Sequence, residues 1–221
     1  MFKWGYFPEV KDHDVNELLK NKKRNTVLWC GRFIDWKHPD DAIRAAGILK
    51  NEGYDFNLKL IGTGEMEAEL MELACELGVS DHVHFLGSMP PDRVRFYMEE
   101  AGICLLTSDR REGWGAVLNE AMNSGCAIVA SDAAGSVSYL LKNGVNGTVY
   151  GSGNIDALVK GIKDFLDDPD EQGRMGRSAY EAVVSEWNAE VAAERFMRLV
   201  NATFAGDEDP NLFEDGPCSG A

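Results

Sequence analysis

Six short apolar runs, separated by segments of helical periodicity, constrain the fold of this chain more than any other feature. They fall at residues 26–30, 57–61, 82–86, 103–107, 126–130 and 148–150. Each is rich in β-formers and shorter than an ordinary helix. Helical patterns lie between them at 39–51, 65–77, 91–100, 116–123 and 137–142, and three more follow at 155–166, 171–184 and 188–202. This alternation predicts an α/β fold: a doubly wound, mostly parallel, Rossmann-like sheet of about six strands with helices on both faces. Ligands of such sheets bind beyond the carboxyl ends of the strands, so the loops there are where chemistry is expected. The flanks differ in composition. Residues 1–26, with Phe2, Trp4, Tyr6 and Phe7 ahead of a polar segment, resemble a linker that packs on something. Residues 27–203 form the domain. Residues 204–221, with Asp207, Glu208, Asp209, Glu214 and Asp215 among glycines and prolines, predict a disordered acidic tail.

The loop after the fourth run carries Glu112-Gly-Trp-Gly-Ala-Val-Leu-Asn-Glu120. A helix starting near Ala116 leaves its first N–H groups without partners, a ready anion site. Gly113 and Gly115 let a ligand approach the backbone just ahead of it. Glu112 and Glu120 flank this mouth, and carboxylates accept hydrogen bonds from hydroxyls. Phosphate between two hydroxyl-bearing ends would suit such a site, and a sugar nucleotide is such a molecule. A glutamate is more often simply solvated, but Trp114 between two glycines and the loop after the first run argue otherwise. That loop, Gly31-Arg-Phe-Ile-Asp-Trp-Lys37, offers a guanidinium fork from Arg32 and a compact charge from Lys37, enough to neutralise a diphosphate without a metal. The fold brings these two loops together across the crevice.

Other features exclude more than they assign. Gly62-Thr-Gly64 could admit a ligand or be only a turn. The absence of GxGxxG after the first run disfavours a dinucleotide-dependent dehydrogenase or epimerase. His82 and His84 share a strand face without acidic or cysteine partners at metal-site spacing, so no metal site is assigned. The five scattered cysteines read as free thiols in a reducing cytosol. A formal charge of −15 argues against nucleic acid or an anionic membrane as a partner of the whole surface, and no run is long enough to span a membrane.

With the Arg32/Lys37 loop, the Glu112-Gly-Trp-Gly-Ala-Val-Leu-Asn-Glu120-Ala-Met run and the Gly144-Val-Asn-Gly147 turn in order, the chain resembles the C-terminal, donor-binding half of a retaining GT-B glycosyltransferase of family 4. The resemblance covers about residues 27–202. It implies that Arg32 and Lys37 bind the diphosphate of a nucleotide-sugar donor, that Glu112 contacts hydroxyls of the transferred hexose and that Glu120 holds the ribose. It further implies that backbone groups of Gly113, Trp114, Gly115, Ala116 and Val117 meet sugar and phosphate, with Gly62 nearby and the base against residues 87–89, including Met89. No cofactor or metal is expected, and the anomeric configuration is kept. Acceptors of the family are glycans and lipid-linked sugars in polysaccharide biosynthesis. The chain departs from the family in lacking the N-terminal, acceptor-binding domain, and in having Ser138 where a proline is common. The resemblance therefore implies a donor half that is inactive alone, its partner domain missing or supplied in trans. It places the chain in the cytoplasm, with the missing domain as its route to the inner membrane face. The alternative is a non-catalytic module that binds a nucleotide sugar.

Overall fold

The computed structural model describes residues 1–206 and 212–220. Among these, the strands are β1 (Lys23–Cys30), β2 (Asn57–Ile61), β3 (Val83–Phe85), β4 (Ala101–Leu106), β5 (Ala127–Ser131) and β6 (Thr148–Tyr150). The helices are α1 (Val15–Lys20), α2 (Pro39–Asn51), α3 (Glu67–Glu76), α4 (Pro91–Glu100), α5 (Val117–Asn123), α6 (Val137–Leu140), α7 (Ile155–Asp167), α8 (Pro169–Ser185) and α9 (Ala189–Phe204). All strand pairs are parallel, in the order β3-β2-β1-β4-β5-β6. The predicted doubly wound sheet is the one observed.

The side chains of each strand alternate between two cores, as the period of two requires. Val27, Trp29, Ile103, Leu105, Ala127 and Val129 meet α2, α3 and α7 on one face. Leu28, Cys104, Leu106, Ile128 and Ala130 meet α4, α5, α6 and α8 on the other. Strands buried on both faces explain why their sequences are continuously apolar. Lys22 ties the second layer to the strand entrance. Its ammonium donates to the carbonyls of Met98 (2.8 Å) and Ser124 (2.6 Å), which close the last turns of α4 and α5. Burial pushes its pKa down.

The two flanks depart from their composition. β1 begins at Lys23, inside the segment expected to be a linker, and α1 is capped by Asp14. Residues 11 and 13 are pinned to the domain. The Asn123 side chain accepts from Lys11 N (2.8 Å) and donates to Lys11 O (3.0 Å), while the Tyr180 hydroxyl bridges the backbone of His13. At the other end the expected disorder is not found over residues 212–220. Cys218 and Ser219 are buried, and Lys3 N donates to Ser219 O (2.8 Å). Asp215, placed by its composition in a disordered tail, meets Lys142 at 2.6 Å and Lys3 at 3.1 Å, and these cations hold its carboxyl far below the usual range. Cations brought from two distant segments reverse the reading that acidity alone suggests. The rest of that expectation, at residues 207–211 and 221, lies outside the described residues.

Candidate functional site

The crevice opens where the strand order reverses, between β1 and β4, the position at which a doubly wound sheet leaves room for a ligand. The loop leaving β1 is stitched first to its neighbour after β2. Gly31 N donates to Ile61 O (3.0 Å), Phe33 N to Thr63 O (2.9 Å) and Met66 N to Phe33 O (3.1 Å). Gly62 adopts φ +139°, and a Cβ there would collide with the Gly31 carbonyl. It serves the close approach of two backbones and is not among the residues lining the cleft.

The same loop is then locked to the one after β4. Thr107 Oγ1 accepts from Trp29 Nε1 (2.8 Å) and donates to Lys37 O (2.6 Å), and Asp109 N donates to Trp36 O (2.9 Å). Arg111 spans both loops, reaching Asp109 (2.7 Å) and Asp35 (2.8 Å) with its guanidinium over the Trp36 ring. Hydrogen bonds from Arg111 hold the Asp109 carboxyl far below the ordinary carboxylate range. Lys37, ending the 3-10 turn Asp35–Lys37, is thereby aimed at the β4 loop.

A third loop, after β5, fixes the Glu112 turn from behind. Gly135 N donates to Glu112 O (3.0 Å) and Ser136 N to Trp114 O (3.1 Å), and a Cβ on Gly135 would strike the Gly113 carbonyl. The Trp114 indole turns away from the cleft, donating to Asn119 Oδ1 (2.9 Å) and packing beside Tyr139 and Trp187. Gly115 is left-handed at φ +81°. The N–H groups of Gly115, Ala116 and Val117 find no acceptor among the described residues.

These loops enclose a cleft of about 290 Å³ lined by Cys30, Gly31, Lys37, Met89, Pro91, Val94, Glu112, Gly115, Ala116, Val117 and Glu120. Lys37 Nζ and Glu112 Oε2 form a close ion pair within it, their side chains 17% and 16% exposed. The Glu120 carboxylate makes no hydrogen bond among the described residues. Burial pushes its pKa up, and Arg95 partly opposes this. Burial, with Glu120 nearby, also pushes the Cys30 thiol up to about 12. Lys37, Met89, Glu112, Gly115, Ala116, Val117 and Glu120 are thus brought together as the sequence predicts. Gly113, which is exposed, and Trp114 are not among the lining residues. Arg32 also departs from expectation: Phe33 is drawn into the core at 0% exposed, which leaves Arg32 facing solvent and off the lining. Arg95, Pro91, Val94, Thr107 and Gly135 were not singled out in the sequence, although an arginine on the apolar face of α4 is a readable signal. Of the two histidines expected on one strand, His82 precedes β3, where it stacks on Phe56 and bonds its carbonyl (2.9 Å), and His84 within β3 lies 3.4 Å from Asn57 Oδ1. His38, Asp40 and Asp41 bring ligand-type atoms within 4.8 Å of one another at the start of α2, but His38 and Asp40 already face Asp109 and Arg44.

The Glycosyl transferases group 1 family matches residues 10–182. The chain belongs to that family. An uncharacterized glycosyltransferase of Haemophilus influenzae is 31% identical over 180 residues, which cover 78% of this chain and 50% of the relative. A GDP-mannose-dependent alpha-(1-6)-phosphatidylinositol monomannoside mannosyltransferase of Mycolicibacterium smegmatis is 27% identical over 184 residues, covering 80% and 48%. The chain thus spans about half the length of these curated relatives. Among solved structures, TarM of S. aureus in complex with UDP superposes with a TM-score of 0.75 at 19% identity, over 89% of this chain and 38% of TarM. That likeness carries the fold: the Rossmann-like sheet matches those of GT-B glycosyltransferases. Among the described residues, no helix is long and apolar enough to cross a membrane.

Proposed function

We propose that this domain binds the nucleotide-diphosphate sugar donor of a retaining, family 4 GT-B hexosyltransferase acting on a glycan or lipid-linked acceptor. One observation supports this above the others: Lys37, Glu112, Glu120 and the partnerless N–H groups of Gly115 to Val117 line one cleft. In this reading the diphosphate lies against the amides and draws Lys37 away from Glu112. The freed Glu112 carboxylate accepts from hydroxyls of the sugar, and Glu120, on α5, accepts from the ribose hydroxyls. Met89 and Val94 supply apolar surface for the base. As the bond between the anomeric carbon and the diphosphate oxygen breaks, negative charge grows on the diphosphate, where an ammonium and fixed amide dipoles are already aimed. Each 1.4 kcal/mol of such differential stabilisation is worth about tenfold in rate. Neither a metal nor a cofactor is required for this grip. Arg32, exposed on the same loop, joins the diphosphate by rotating its side chain.

The acceptor side of the reaction comes from elsewhere, in a further domain or a second chain, as the greater length of the relatives suggests. Isothermal titration calorimetry with UDP, GDP and their sugars in the presence of EDTA tests the reading. Binding is expected for one base family, with no turnover to an acceptor by this chain alone. Absence of binding to every nucleotide would sink it, and measurable transfer would refute the need for a second domain.

A further inference from the structure

Arg95 lies on α4 with its guanidinium buried; the residue is 7% exposed. Among the described residues its three hydrogen bonds go to uncharged oxygens: Nη1 donates to Glu120 O (2.7 Å), while Nη2 donates to Asn123 Oδ1 (2.6 Å) and Glu9 O (3.1 Å). A buried guanidinium with no carboxylate partner is an expensive way to join two helices, because an apolar residue of similar volume would pack there without the desolvation cost. The charge itself must therefore be accounted for.

It faces Glu120, Glu99 and Glu9. Glu120 is the one of these that lines the nucleotide cleft. The carbonyl that Arg95 grips belongs to this same residue, so one guanidinium sets both the position of Glu120 and the field in which its carboxylate ionises. A crevice of about 90 Å³ continues from the cleft past Glu120, and Pro91 and Glu120 line both. The other groups near Glu120 do not substitute for Arg95. Cys30, half-buried, and Cys104, buried, are thiols kept neutral, and Lys37 across the cleft is already engaged by Glu112. Lys11, along the crevice, leans toward Glu99 at 3.8 Å, and Glu9 and Asp92 bring only negative charge there.

We propose that Arg95 is a positioning residue of the nucleotide site: it holds α5 through the Glu120 carbonyl and Asn123, and its charge keeps the Glu120 carboxylate ionised and ready to accept ligand hydroxyls. The N-terminal arm belongs to the same device, since Glu9 O and, through Asn123, the Lys11 backbone close the network. This proposal rests on the reading of Glu120 as a ligand contact. Removing the positive charge raises the pH at which Glu120 loses its proton, so affinity that depends on the carboxylate disappears earlier as pH falls.

Two readouts separate the proposal from the function beneath it. In the ligand-free protein, the ¹³C carboxyl resonance of Glu120, assigned with E120Q, is titrated in wild type, R95Q and R95K. The expected result is a higher midpoint in R95Q and a midpoint close to wild type in R95K. In parallel, calorimetry with UDP or GDP follows affinity between pH 8 and the onset of acid unfolding. R95Q should lose about tenfold more affinity over that range than wild type, with R95K restoring most of it. Equal Glu120 midpoints in wild type and R95Q overturn the proposal, as does an R95Q loss that is the same at every pH, the mark of a purely structural role. A wild type that binds no nucleotide removes the function and the positioning role built on it, while the carboxyl titration still reports whether Arg95 governs Glu120. R95M, which fills a similar volume, takes the place of R95Q should circular dichroism show the latter unfolded.

Discussion

The loop after β4 and helix α5 each bring a glutamate to the cleft, and the fold treats the two in opposite ways. On the loop, Glu112 is met by the Lys37 ammonium and held by a turn braced from two other loops. On the helix, the Glu120 carboxylate has no direct partner among the described residues, sits in a partly buried position and has its pKa pushed up by that burial. The difference teaches how two acids in one cleft are prepared differently. The loop acid is paired with a cation for which an incoming anion would compete, whereas the helix acid is an unmet acceptor whose cost is borne by the rest of the fold.

The most damaging way to break this contrast is Lys37→Ala. It removes the cation and leaves Glu112 as an unpaired negative charge facing the diphosphate. Calorimetry should record a loss of about 1.5–3 kcal/mol for a nucleoside diphosphate. A loss no larger than that of a Glu120 variant would mean that the loop and helix acids are not distinct.

Neutralising each acid in turn sharpens the comparison. Glu120→Gln should weaken a nucleoside diphosphate and its sugar alike, by roughly tenfold. Glu112→Gln should weaken only the sugar nucleotide, and leave the bare diphosphate bound as well as before or better, because Lys37 no longer has a competitor. Equal effects of both variants on both ligands would contradict the assignment.

A smaller effect is expected in thermal stability. The Glu120 carboxyl has a folded pKa above its unfolded one, so the folded state holds the proton more tightly and its ionisation destabilises the fold as pH rises through that window. Glu120→Gln should therefore melt roughly 1–3 °C higher than wild type above the folded pKa. That advantage should vanish below the unfolded value. A gain that persisted at acid pH would point to some other cause. The smallest effect is assigned to Arg32→Ala, about two- to threefold in nucleotide affinity, since an exposed side chain gains little from a screened contact.

Much of this was legible in the sequence, for identifiable reasons. The β2, β6, α2 and α4 boundaries match the predicted runs, because a Pro at the first helical position or a change of period marks them locally. The Glu112 to Glu120 run could be placed at a strand end and named as a site because its glycines and acids are adjacent in the chain. That Arg32 is exposed and outside the lining could not be read in advance, since a loop's polarity says nothing about which of its residues will be displaced by a buried neighbour such as Phe33. Arg95 was overlooked, since it reaches the site from α4, more than twenty residues before the residue it positions.

The sequence by itself determined the alternation of strands and helices, hence the parallel sheet, the crevice at its carboxyl edge and the family. These follow from periodicity and local chemistry, which act over a few residues. Only the tertiary structure decided that Lys37, and not Arg32, meets Glu112, that Gly135 must lack a side chain so that the Glu112 turn can close, and that Asp215 meets Lys3 and Lys142. Each depends on charges or backbones brought together from distant parts of the chain, where burial and partner, more than residue type, set the energy.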